Sequence, residues 1–279
     1  MSGAGCYVKH VFTGAVAYAD DVTLLAPSLR GLRKLLTVCE QFADEYSVTF
    51  NSKKTVCIAF GKPSTFTTTD IHLHGEILKW CIEVKHLGNW LTQTLKDDTD
   101  TRMKSNDLIK RVNGITVNFK AVPREVCNVL FDSYCHIYGS QMWDLQQARA
   151  IERFHVTWRK SVRRLWNIPS WSRTNILHHL VNKPTFLEQL HKRFMMLFKG
   201  TQQSDNHVVH HLVQLSVQEP KGIIGNNLDI CRAGNTTADD GAEKAAMVKE
   251  LTKCLENSMT LSNFNNDEIR TLINLIATT

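Results

Sequence analysis

The chain has 279 residues, of which 43% are hydrophobic and 22% charged, and a formal net charge of +6. Such a make-up suits a globular protein with one large core or two small ones; no stretch approaches the roughly 20 apolar residues of a bilayer span, residues 1–7 lack a basic region followed by an apolar run, and nothing here is expected to address the chain to a membrane or to secretion. The charge is uneven, because residues 201–279 hold 6 basic against 10 acidic side chains, leaving 27 against 17 in residues 1–200, a surplus of ten of the kind a polyanion binder carries.

From Gly5 to Pro27, two runs rich in Val, Ala, Phe, Tyr and Thr meet at Ala19, Asp20 and Asp21, which reads as a β-hairpin with both Asp at its turn. Ser28 is the expected N-cap of a helix to about Tyr46, in which Leu32, Leu35, Leu36, Cys39, Phe42, Ala43 and Tyr46 recur at helical spacing. Two short strands are predicted next, Val48 to Phe50 and Thr55 to Phe60, separated by the turn formers Asn51 and Ser52. Residues 61–78 read as a loop with one strand at Ile71 to Leu73, followed by a strand pair over Ile82 to Leu91 broken at Gly88.

Strand signals then stop. Helices are predicted over 97–119, 124–143, 148–166, 172–181 and 184–199, with Pro123, Pro169 and Pro184 at the joins. Beyond Gly200, Gln202 to Asn206 and Gly225 to Gly241 read as loops, a helix is expected from about Gly241 to Leu255, and the tail is expected to be partly disordered. The fold class is thus α+β, with strands and a helix in 1–95, helices in 96–200 and a polar tail in 201–279.

Eight cysteines are scattered without a CxxC pair or a histidine at zinc-finger spacing, and read as reduced, mostly buried thiols; a zinc site built from Cys127, Cys135 and His136 is the weaker alternative. His178–His179 and His210–His211 are adjacent pairs, and neighbours on a helix diverge, so neither is a ready chelate.

The sharpest chemical feature is Tyr18-Ala19-Asp20-Asp21 at a hairpin tip with apolar flanks. Adjacent carboxylates repel, and if withdrawn from water they call for a cation, with hard oxygen ligands favouring Mg²⁺ or Mn²⁺. A solvated turn, where Asp is common, accounts for the same dipeptide. In the helix over 148–166, Ile151, Phe154, Trp158, Val162 and Leu165 form an apolar stripe while Arg149, Arg153, Lys160 and Arg164 share another face. Those cations fit either a phosphate-contacting helix or a merely solvated surface. Trp166 and Trp171 suit base stacking or, more usually, core packing.

Tyr-Ala-Asp-Asp closing a strand, an amphipathic helix, then Phe50, Asn51, Lys54 and Thr55 before another strand resembles consecutive motifs of the reverse transcriptase palm in LINE-type (non-LTR) retrotransposons. Gly5-Cys6, Leu24-Leu25-Ala26-Pro27 and Cys39-Glu40 extend the resemblance, as do Lys85-His86-Leu87-Gly88, similar to the hairpin that grips the primer end. Tyr138, Gly139, Gln141, Trp143, Trp158, Arg159, Lys160, Arg163, Arg164 and Pro169 look like the thumb and following helices, so that residues 3–200 are covered. The resemblance implies a partial palm over 1–95, then a helical thumb and C-terminal region. It implies RNA-directed DNA synthesis in which Asp20, with Asp21 secondary, holds Mg²⁺ or Mn²⁺ together with an Asp from an earlier strand. By the same resemblance Lys54 serves the departing pyrophosphate or the nucleotide site, with a solvated strand-end lysine as the alternative. Tyr18 would lie near the primer or template backbone, Leu87 and Gly88 at the primer grip, and Arg153, Lys160 and Arg164 on nucleic acid, the partners being an RNA template and a DNA primer. The earlier strand, its Asp and the fingers have no counterpart ahead of Gly5. The chain is therefore expected not to polymerise alone, to need an N-terminal polymerase half, and to hold metal weakly; a non-catalytic nucleic-acid-binding module or a decayed remnant is the alternative. A palm sheet cut between its strands is also expected to leave 1–95 marginally stable.

Overall fold

The computed structural model describes residues 3–61, 69–119, 122–168, 170, 174, 177–181, 183–218 and 222–234. They form two compact units: residues 3–96 with Thr201–Gln218, and Asp97–Gly200 with the described residues from 222 onward.

The first unit opens with two small antiparallel pairs where one hairpin was expected: β1 (Tyr7–Val8) with β2 (Val11–Phe12), then β3 (Ala15–Tyr18) with β4 (Asp21–Leu24). Their junction is crowded. The Cys6 N–H donates to the Leu25 carbonyl at 2.9 Å and the Leu25 N–H to the Gly14 carbonyl at 2.8 Å, and a Cβ on Gly14 would lie 2.9 Å from the Cys6 nitrogen, so only glycine fits that close approach.

Helix α1 (Leu29–Tyr46) starts as the sequence predicts, with the Gly31 N–H donating to Ser28 Oγ at 3.1 Å, and it buries Leu35, Leu36 and Ala43. Its C-terminus explains a missing strand. Ser47 turns left-handed, and both its N–H and that of Val48 are spent on the Ala43 carbonyl, so Val48 to Phe50, expected as a strand, stays irregular. Asn51 then gathers the chain, its side-chain oxygen accepting from the Lys54 N–H at 3.1 Å and its carbonyl accepting from the Thr55 hydroxyl at 2.9 Å. Strand β5 (Val56–Ile58) follows. A hairpin of β6 (His72–Leu73) and β7 (Glu76–Ile77) turns at His74 and Gly75, both left-handed, and β8 (Lys79–Cys81) pairs parallel with β5. Finally β9 (Glu83–His86) pairs with β10 (Asn89–Thr92). The core is a modest cluster of Leu36, Cys57, Ile71, Leu73 and Leu78.

In the second unit, α2 (Asp98–Asn118) and α4 (Ala148–Leu165) pack against α3 (Arg124–Tyr134), a single 3₁₀ turn at Ser140–Met142, α5 (Leu177–Leu180) and α6 (Phe186–Gln202). The apolar stripe read from α4 points inward, with Ile151, Phe154, Trp158 and Val162 buried, and Phe154 lies 5.2 Å ring to ring from both Trp143 and Phe186. Helix α3 ends at Tyr134 rather than at 143, because the chain leaves helical geometry at Cys135 and Gly139 turns left-handed (φ 77°). Of the helix expected over 172–181, residues 172–173 and 175–176 lie outside the described residues, as do the helix expected over 241–255 and Trp171.

Two helices were not foreseen, α7 (His207–Gln218) and α8 (Ile223–Gly234), and the second replaces most of the loop expected over Gly225 to Gly241. Its reason is tertiary. Asn227 is fully buried, donating to the Trp143 carbonyl at 2.8 Å and accepting from the Leu145 N–H at 2.9 Å, while Leu228 and Cys231 are buried beside it.

Candidate active site and nucleic-acid surface

In the β3–β4 hairpin Tyr18 pairs with Asp21, so Ala19 and Asp20 alone make the turn. Ala19 sits at φ 53°, a left-handed conformation that costs an L-residue about 1–2 kcal/mol and is retained where a tight turn must aim its neighbours. All four residues of β3 are exposed, Tyr18 at 67%, and Asp20 and Asp21 face solvent. The pair is thus a hydrated dicarboxylate on an apolar hairpin. Its hard oxygens suit Mg²⁺ or Mn²⁺ in type, and Mg²⁺ characteristically takes one or two carboxylates while keeping waters and substrate phosphates. Among the described residues no group of three or more His, Cys, Asp or Glu side chains is placed to share an ion, so the two carboxylates alone fit weak binding.

A second hairpin approaches this one. Thr23 Oγ1, on β4, lies 3.3 Å from His86 Nε2 at the end of β9, so the strand leaving Asp21 and the strand entering Leu87 are tied side chain to side chain. Leu87 (φ 45°) and Gly88 (φ 82°) form the two-residue turn between β9 and β10, both left-handed as the tight primed turns of hairpins require. Lys54 is exposed on the turn before β5 and makes no hydrogen bond or ion pair with Asp20 or Asp21. The Thr23–His86 contact carries no local sequence signal, since it joins positions 63 residues apart.

On α4 the exposed side chains Arg149, Arg153, Lys160 and Arg164 recur every four to seven residues along one side. At 1.5 Å per residue they run over roughly 20 Å. Arg153 is not free on this stripe, because it is ion-paired with Asp98 and donates to the Arg149 carbonyl at 3.2 Å. Burial raises the Glu152 carboxyl, but Arg159, at 2.7 Å, and His155 together outweigh it and leave the group below its ordinary range. Arg163 points back toward the protein, donating to Thr174 Oγ1 at 3.5 Å, with burial and the Arg159 charge lowering its pKa. Trp166 is in the core, edge-on to Phe131 at 5.1 Å.

Two of the other residues weighed as ligands, His136 and His210, have side-chain partners. His136 Nδ1 accepts from Arg193 at 3.0 Å, and burial pushes the neighbouring Cys135 thiol up to about 11. His210 Nε2 is 2.8 Å from Gln214 Nε2. The seven described cysteines are free thiols; Cys254 lies outside the described residues. No described helix is long and apolar enough to cross a membrane.

A polar knot that sequence reasoning missed fixes the start of α2 against α4. Asp100 Oδ2 accepts from Trp143 Nε1 at 2.6 Å and from Lys104 Nζ at 2.5 Å, the Asp144 N–H donates to Asp97 Oδ2 at 2.7 Å, and the Asp97 N–H donates to Gln147 Oε1 at 2.9 Å. Burial, with Asp100 and Asp144 nearby, raises the Asp97 carboxyl to about 6 despite the Asp144 N–H.

No protein-family profile matches the chain, and no solved structure matches it. Among curated proteins the chain is similar to the "Probable RNA-directed DNA polymerase from transposon BS" of Drosophila melanogaster, with 25% identity over 186 residues, covering 62% of this chain and 20% of that protein. The chain therefore spans about a fifth of the length of the curated relative it matches. This is a distant relationship to a transposon polymerase.

Proposed function

We propose that the chain is the portion of a LINE-type (non-LTR) retrotransposon reverse transcriptase that bears the Tyr-Ala-Asp-Asp hairpin of the palm, the primer-grip hairpin and the helical thumb. The carrying observation is a strained two-residue turn that presents Asp20 and Asp21 to solvent in a chain similar to a transposon RNA-directed DNA polymerase. Asp20 and Asp21 supply carboxylate oxygens to a Mg²⁺ or Mn²⁺ site that is completed by a carboxylate from outside the described residues. When bound, the metal would polarise the phosphoryl group of an incoming nucleotide toward a primer 3′ hydroxyl. Tyr18, beside Asp21 in the register, lies along the primer or template strand; Leu87 and Gly88, linked back through Thr23 and His86, position the primer end; Lys54 serves the nucleotide side.

Primer extension tests this reading. The chain joined to the remaining polymerase sequence of the similar Drosophila protein, as the source of the fingers and earlier palm strands this reading requires, should extend a primer on an RNA template with Mg²⁺ or Mn²⁺, and Asp20→Asn should abolish extension. A folded chimera without activity would overturn the catalytic reading.

The solvent-facing cations of α4 favour a second reading in which the chain binds nucleic acid without catalysis. Here Arg149, Lys160 and Arg164 track phosphates and do not read sequence. Changing Lys160, Arg164 and Arg149 to Gln should reduce the slope of log affinity against log salt by about 2 to 3, near one per phosphate contact. Salt-independent binding by the unaltered chain would remove this reading.

A further inference from the structure

Residues 134–138, between α3 and the 3₁₀ turn, alternate in exposure: Cys135 and Ile137 are buried at 4% and 9%, while Tyr134 and Tyr138 are 58% and 57% exposed and His136 also faces solvent. Tyr134, His136 and Tyr138 thus all present their side chains to solvent. Two guanidinium groups hold the segment from behind. Arg111 Nη1, from α2, donates to the carbonyls of Tyr134 at 3.0 Å and His136 at 3.1 Å; Arg193 Nη1, from α6, donates to the Ile137 carbonyl at 2.6 Å, and its Nη2 to His136 Nδ1 at 3.0 Å. The left-handed Gly139 and the Ser140 hydroxyl, which donates to the Ile137 carbonyl at 3.0 Å, close the segment at its far end.

Carbonyl oxygens satisfy these guanidinium donors without cancelling their charge. The nearest acid in the sequence, Asp132, is ion-paired with Lys183. The segment therefore offers two exposed phenol rings over a net positive, backbone-anchored base. Among the described residues neither ring stacks on another aromatic ring. Apolar faces with positive support are the two components by which proteins hold unpaired nucleotides: bases stack on the rings while phosphates respond to the cations. A paired duplex hides its base faces and cannot use the rings. Because the backbone beneath Tyr134 and Tyr138 is already tied by Arg111 and Arg193, little ordering remains to be done on binding.

We infer that Tyr134 and Tyr138, held over Arg111 and Arg193, form a stacking platform for single-stranded nucleic acid, separate from the α4 stripe. The inference rests on the chain being a nucleic-acid binder. His136, with Nδ1 accepting from Arg193, carries its proton on Nε2 toward solvent, where it can donate to a base edge or a phosphate. Burial and the two guanidiniums keep it neutral by lowering its pKa.

The test uses the full chain, a fluorescein-labelled oligouridylate of about 20 nucleotides, longer than one stacking site needs, and an RNA–DNA duplex of the same length. The double change Tyr134→Ala and Tyr138→Ala should weaken oligouridylate binding by about tenfold or more, since each stacked base is worth about 1–3 kcal/mol. The salt slope should stay unchanged, because no cation is lost, and duplex affinity should hold within about twofold. The pair Tyr134→Phe and Tyr138→Phe keeps the rings and should bind as the unaltered chain does, which separates stacking from any effect on folding. Unchanged oligouridylate affinity in the alanine form, or an equal loss on the duplex, overturns the platform while leaving nucleic-acid binding in place. Failure of the unaltered chain to bind either probe overturns the binding reading and the platform with it.

Discussion

Burial and chemistry are distributed in opposite senses in the two units. In the helical unit Phe154 and Val162 are wholly buried, Trp158 is 2% exposed, and one aromatic cluster runs from Trp143 through Phe154 to Phe186. In the strand-bearing unit the buried cluster among the described residues is five side chains, all of β3 is exposed, and the dicarboxylate sits at the tip of that same hairpin. The difference teaches that stability and the candidate chemistry are carried by different residues. A change that unfolds the helical unit should leave Asp20 chemically ordinary, and a change at the hairpin should leave stability almost untouched.

The strongest way to break this contrast is to empty the helical core. Phe154→Ala removes a fully buried ring that touches Trp143, Trp158 through the cluster, and Phe186, and it should cost about 3–5 kcal/mol in chemical denaturation. A cost under about 1 kcal/mol would show that the cluster collapses around the gap and that the unit is less tightly packed than its burial indicates.

Next in size is the polar knot. Asp100→Ala would strand the buried Trp143 N–H and leave the Lys104 ammonium, 11% exposed, without its carboxylate, for a loss of about 3 kcal/mol or more. Replacing Trp143 by Phe in the same background removes one of the stranded donors and should recover part of that loss. An additive result would mean that the two side chains do not share the carboxylate in solution.

A smaller effect is the pH response of the same region. The folded-state Asp97 carboxyl is raised to about 6 from an ordinary 3.8, so the folded chain binds the extra proton between those values and gains stability as pH falls through 6. His155 and His191 work in the opposite direction: burial lowers their pKa, so the unfolded chain takes up protons first and stability falls as pH drops below the usual histidine value. Removing the first contribution by Asp97→Asn should therefore steepen the fall in thermal midpoint between pH 7 and pH 5, by a few degrees on the usual scale. Parallel curves for the two proteins would sink the assignment of that proton to Asp97.

How much of this was legible in the sequence follows the same division. Helices α1, α2 and α4 were read nearly to the residue: Ser28 caps the first, the strand signals stop ahead of the second, and the apolar positions of α4 keep helical spacing. What failed was decided by a helix cap and by distant partners. Val48 lost its strand to the cap of α1, Tyr134 ended α3 where Arg111 takes its carbonyl, and Ile223–Gly234 became a helix around Asn227, whose hydrogen bonds reach back 84 and 82 residues. The candidate site divides similarly. Asp20, Asp21 and Gly88 stood out locally as turn residues and Leu87 through the resemblance, whereas the Thr23–His86 tie and the pairing of Arg153 with Asp98 have no pattern in the chain to give them away.

The smallest expected effect sharpens the contrast most, because it concerns the hairpin itself. Val16 is 55% exposed in β3, opposite Thr23 in the register, so Val16→Thr keeps the β-branched shape favoured in strands while exchanging one exposed methyl for a hydroxyl. With nothing packed over it the change should alter stability by no more than about 0.5 kcal/mol. The same substitution in a protein whose β3 is covered by another strand would bury that hydroxyl without an assured partner and cost about 1–3 kcal/mol. Measuring both, in this chain and in the chimera joined to the earlier palm strands, turns one conservative substitution into a reporter of docking. A loss that appears only in the chimera places the added strands against β3, beside Asp20. Equal, negligible losses in both would mean that the apolar hairpin stays uncovered, and the proposed completion of the dicarboxylate site would have to be abandoned.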